Sequence, residues 1–101
     1  MGVVLYVRTF EADCTDKAQA VKVLEEAAEA FAAWQRVIFS LDHFFVDVTG
    51  KSADDYARMQ LADELADVVQ ASCNLAARYG IDMAEAMDRC TQRMRERGNY
   101  D

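Results

Sequence analysis

Two short stretches carry carboxylates at helical spacing. KVLEEAAEAF (residues 22–31) holds Glu25, Glu26 and Glu29, and LADELADVV (residues 61–69) holds Glu64 and Asp67. Glu26 with Glu29, and Glu64 with Asp67, are each three residues apart, so on a helix each pair projects to one side. Two such pairs on facing helices make an all-oxygen site of the kind that suits Mg²⁺ or Mn²⁺. Four carboxylates are more than a Mg²⁺ ion that keeps its waters takes from protein, which implies room for two ions or for a substrate phosphate. The competing reading is that these acids form the wet faces of two amphipathic helices, the usual fate of charges on a long helix.

The apolar stripes weigh differently on the two readings. At about 100° per residue, Val21, Leu24, Ala28, Phe31 and Ile38 cluster on one side of the first helix and predict its core face. Glu26 and Glu29 fall on the far side, which favours the wet-face reading, but Ala33 and Val37 fall there too and fit water poorly. In the second helix Ala57, Leu61, Val68, Ala71 and Leu75 share a narrow arc, and Glu64 lies inside it. A carboxylate there carries a desolvation cost of roughly a few kcal/mol unless paired, protonated or bound to a cation. With Gln60, Asp67 and Asn74 it makes a polar seam where core residues are expected.

The elements that must position these acids are helices. Proline is absent, and glycine occurs only at positions 2, 50, 80 and 98, so long helices are expected. The composition predicts a first helix from about residue 16 to the mid-forties and a loop around Gly50. A second helix is predicted from Ser52, which with Asp55 approximates a capping box, to residue 79, with Gly80 as its left-handed terminator. Asp82 and Glu85 repeat the start signal for a third helix, which carries Met83, Met87, Cys90 and Met94 on one stripe and stops at Gly98. Residues 3–10 are rich in β-branched and aromatic residues and predict a short strand, with a helical extension as the alternative.

The predicted fold is therefore all-α: one domain over residues 1–101, with residues 1–12 as an N-terminal extension. Three helices of unequal length seldom close a core alone, so pairing with a second subunit into a bundle is expected. A net charge of −7 argues against nucleic acid as a partner. Cys14, Cys73 and Cys90, odd in number and far apart, with the single His43, fit neither a disulfide framework nor a zinc site. Reduced thiols and a cytoplasmic location are expected. The opening MGVVLYVRTF lacks a basic leader and is interrupted by Arg8, so neither a signal peptide nor a membrane span is expected.

Together, EEAAE and ELAD match the E-E-x-x-E and E-x-x-D motifs of MazG-like nucleotide pyrophosphohydrolases, and the chain resembles that family over roughly residues 16–100. DELADVVQASCNLAARYGID looks like the family's second signature helix and its exit, and RERGNY looks like its common tail. The resemblance implies an all-α bundle assembled as a homodimer or homotetramer, with Mg²⁺-dependent cleavage of a nucleoside triphosphate between its α and β phosphates, giving a monophosphate and pyrophosphate. It implies Glu26, Glu29, Glu64 and Asp67 as metal ligands and Glu25 as an accessory acid, either behind those ligands or near the attacking water.

Further substrate contacts are open to several residues. Lys22, one turn before Glu26, is placed to touch a phosphate or to pair with Glu26. Arg93 and Arg97 are candidates for bidentate phosphate binding or for ordinary partnership with a helix C-terminus. Asn74 is a candidate polar lining residue, and Phe31 and Trp34 suit base stacking or the core. The reading from another class is a non-catalytic helical dimerisation or nucleotide-binding regulatory module. Phosphoribosyl-ATP pyrophosphohydrolase activity is a further enzymatic alternative.

Overall fold

The computed structural model describes residues 2–42 and 46–100. It contains three helices, α1 (Asp16–Asp42), α2 (Ala53–Arg78) and α3 (Met83–Glu96), and no strand among the described residues. The fold is all-α. No helix is long and apolar enough to cross a membrane. The sequence expectation that α1 continues into the mid-forties, and the single His43, lie outside the described residues.

Local chemistry accounts for each helix boundary. The Thr15 hydroxyl accepts from the Ala18 amide at 3.2 Å, satisfying one of the amide donors that a helix start leaves unpaired. Ser52 and Asp55 complete a reciprocal capping box: the Asp55 amide donates to Ser52 Oγ at 3.1 Å, and the Ser52 amide donates to Asp55 Oδ2 at 2.9 Å. Those bonds to Ser52 hold the Asp55 carboxyl below its ordinary range. At the other end of α2, Gly80 takes φ +65°, the Ile81 amide donates to the Ala76 carbonyl, and the Gly80 amide donates to the Ala77 carbonyl. This is a Schellman stop, and residues 94–99 repeat it at the end of α3 around Gly98.

The helices α1 and α2 form an antiparallel hairpin whose register is held at both ends and near the middle. Asp16 pairs with Arg78 and accepts from the Tyr79 hydroxyl. Arg36 donates to Gln60 at 3.0 Å, and the buried Ser40 hydroxyl donates to Asp54 at 3.2 Å. The face of α1 that packs is the one carrying Gln19, Glu26, Ala30, Ala33, Val37 and Ser40, all buried. This reverses the expectation from sequence. Val21, Leu24, Phe31 and Ile38, predicted to face the core, are exposed, and Glu26 is inside. Small residues at 30 and 33 let two helix backbones approach closely, whereas the bulkier stripe stays outside the pair.

One further departure concerns the N-terminal end of the chain. Residues 3–10 form no strand; they run along α2 without a ladder partner, tied by Gln70 Nε2 to the Arg8 carbonyl at 3.0 Å and by the Phe10 amide to Asn74 Oδ1 at 3.1 Å. A strand needs a neighbour to satisfy its backbone groups, and the described residues offer only side-chain amides. The third helix buries none of its residues and packs on neither α1 nor α2 to an extent comparable with their own pairing.

Candidate metal centre

Glu26 enters the site from the packed face of α1, and Glu64 and Asp67 enter from α2. Carboxylate oxygens of these three residues lie within 4.8 Å of one another. Glu26 is 6% exposed, Glu64 is half-buried and Asp67 is exposed, so the cluster runs from the helix interface out to solvent. Lys22 Nζ sits 2.9 Å from Glu26 Oε1, the phosphate-free alternative of its two expected roles. That contact raises the Lys22 ammonium pKa above its usual value.

Two other oxygens of the cluster lack a partner. Glu26 Oε2 and Glu64 Oε2 are both buried without a hydrogen-bond partner. A buried anionic oxygen with no donor is among the least favourable arrangements in a protein interior. Glu29, exposed one turn beyond Glu26, has its carboxyl pKa raised, first by the Glu26 charge, then by desolvation and by Glu64. Glu29, expected as a fourth ligand, lies outside the group of three but feels both Glu26 and Glu64, and Lys22 is the ion-pair partner of the group among the described residues. Hard oxygen donors converging from two helices fit a hard divalent cation, which would neutralise the repulsion and satisfy both orphan oxygens.

A groove of about 750 Å³ opens beside these acids, with Glu25, Glu26 and Asp67 on its wall. Its lining is mainly apolar, from Phe10, Ala12, Ala18, Val21 and Ala71. Lys22 and Asn74 line it as well. Asn74 Oδ1 accepts from Gln70 Nε2 at 3.0 Å in addition to the Phe10 amide.

Other residues singled out in the sequence lie elsewhere. Arg93 and Arg97 are exposed on or just after α3 and are not among the residues lining the groove; Arg97 caps that helix. Phe31 and Trp34 stand on the exposed stripe of α1 with ring centroids 5.6 Å apart. The residues that sequence reasoning missed are Gln19, Gln70 and the segment around Phe10. The available signal was spacing, since Gln19 lies seven residues before Glu26 and hence on the same helix face.

No curated protein and no solved structure matches this chain. The sequence pattern of the MazG nucleotide pyrophosphohydrolase domain matches residues 15–100, which span all three helices and every acid of the cluster. With that match over most of its length, the chain belongs to the MazG nucleotide pyrophosphohydrolase family.

Proposed function

We propose that this protein hydrolyses a nucleoside triphosphate between its α and β phosphates, releasing a monophosphate and pyrophosphate. Glu26, Glu29, Glu64 and Asp67 would hold Mg²⁺, or Mn²⁺ in its place. The observation that carries this reading is the pair of buried, unpartnered oxygens on Glu26 and Glu64 within a cluster shared with Asp67. A divalent ion bound there supplies neutralisation of the triphosphate and a lowered pKa for bound water, so a histidine base is not required.

The chain's own residues do the positioning. Packing of α1 on α2 fixes the two carboxylate pairs, and Lys22 occupies one oxygen of Glu26 so that the other faces the cluster. Glu25, on the groove wall, would accept a hydrogen bond from a water that attacks the α-phosphorus. The apolar lining suits a sugar and base better than a triphosphate, so the phosphates belong at the acids and the nucleoside along the groove. Because α3 stands away from the hairpin, Arg93 and Arg97 would reach a phosphate only across a subunit boundary. The exposed apolar stripe of α1 supports assembly as a homo-oligomer.

The test is product identification with Mg²⁺ and a panel of ribo- and deoxyribonucleoside triphosphates. Monophosphate plus pyrophosphate, lost on adding a chelator, is expected. Diphosphate plus phosphate would overturn the bond assignment, and no product would favour a non-catalytic nucleotide-binding module.

A further inference from the structure

The groove continues beyond the acids, and its far end is built from side-chain amides. Gln19 and Asn74 both line it, and both also line an adjoining cavity of about 510 Å³. In the antiparallel hairpin they occupy one layer, seven residues from Glu26 and from Asp67 respectively. Seven residues of helix span about 10 Å. That is the scale of the distance from the α-phosphorus of a nucleotide to the hydrogen-bonding edge of its base.

Gln19 is 5% exposed, and its Oε1 is buried with no hydrogen-bond partner. Its Nε2 faces the Ala12 carbonyl at 3.5 Å, longer than an ordinary N–H···O bond. A carbonyl there requires a donor, which sets the amide's orientation and leaves Oε1 as the unsatisfied acceptor. Asn74 supplies the opposite polarity. Its Oδ1 is taken by the Phe10 amide and Gln70, so its NH₂ group remains a donor without a partner among the described residues. An acceptor on α1 and a donor on α2 in one layer of the hairpin complement a base edge that presents an amino group next to an unprotonated ring nitrogen. Cytosine and adenine have that edge; uracil and hypoxanthine present the reverse.

We infer that this end of the groove reads the base of the substrate, with Gln19 Oε1 accepting from an exocyclic amino group and Asn74 Nδ2 donating to the adjacent ring nitrogen. Residues 10–14 form the wall: Phe10, Ala12 and Cys14 line the same groove, and the Phe10 amide and the Ala12 carbonyl tie this stretch to the two reading residues. The inference rests on the proposed hydrolase reading for the placement of the phosphates. It assigns a specificity role to Gln19, which touches none of the acids.

The experiment compares deamination pairs, which match closely in size and differ in donor and acceptor pattern. For dCTP against dUTP and ATP against ITP, kcat/KM is measured with Mg²⁺ for the wild type and for Gln19→Met, which keeps the side-chain shape and removes the acceptor. Calorimetric binding of dCMP against dUMP is measured alongside. At least one pair is expected to favour the amino base by about tenfold or more, as for a site built to bond a specific polar group. Gln19→Met is expected to reduce that preference to about twofold or less. Turnover without preference, or a preference that survives in Gln19→Met, overturns the base assignment and leaves the hydrolase reading standing. Absence of turnover with dCMP bound more tightly than dUMP overturns the hydrolase reading instead. Neither turnover nor discrimination in binding overturns both. Should Gln19→Met fail to fold, the wild-type comparisons decide alone.

Discussion

Glu64 has one oxygen buried without a partner, and a glutamine there keeps the shape while removing the charge. Glu64→Gln is therefore expected to fold as the wild type does, with an unchanged circular dichroism spectrum, and to lose more than about a hundredfold in kcat. Wild-type turnover by this variant would remove Glu64 from the metal site. A second residue prediction concerns Asp47, which accepts from the Thr49 amide and hydroxyl, the Lys51 amide and the Tyr56 hydroxyl. These bonds, led by that from the Thr49 hydroxyl, lower its pKa from 3.8 to about 2. A carboxyl whose folded-state pKa is depressed contributes stability that is complete above its unfolded pKa and fades as pH falls through the folded one. Asp47→Asn should lower Tm at neutral pH, and the gap to wild type should narrow between pH 3.8 and about 2. A gap independent of pH would show that the bonds to Asp47 do not depend on its charge.

At the scale of elements, the helix stops are the most direct reading of sequence into structure. Gly80 takes φ +65°, and a Cβ added there would meet nothing within 4 Å, so an alanine is disfavoured by backbone conformation alone. Gly80→Ala is expected to destabilise the folded protein by about 1–2 kcal/mol in denaturant titration. No change would mean the turn after α2 relaxes without penalty. The caps were legible because they depend on residues within one turn of each other, as in the Ser52–Asp55 box. The strand expected over residues 3–10 was not, because β propensity describes a fit to neighbouring strands and the described residues include no such neighbour.

At the scale of the whole molecule, α1 and α2 bury small residues between them and leave larger ones outside. No large side chain among the described residues is fully buried. Leu24 and Phe31, seven residues apart on one face of α1, are 70% and 59% exposed. Leu24→Asp is expected to convert an oligomer to monomer in size-exclusion chromatography with light scattering, and an unchanged mass would place the subunit contact elsewhere. The stripe misled the sequence reading for a reason that applies to any apolar helix face. Periodicity shows that a helix face is apolar but does not say whether a helix of the same chain or another subunit would cover it.

The sequence by itself determined where α1 begins, where α2 and α3 begin and end, that Glu64 stands among apolar neighbours, and that two carboxylate pairs recur at helical spacing. Each of these depends on residues within a few turns of one helix. Only the tertiary structure decided that Glu26 is buried while Leu24 is not, that the oxygens of Glu26, Glu64 and Asp67 come within 4.8 Å, and that residues 10–14 wall a groove ending at Gln19. Those facts depend on which face of α1 meets α2. That choice follows from how closely two backbones can approach through alanines, a property of the pair of helices that neither sequence segment carries alone.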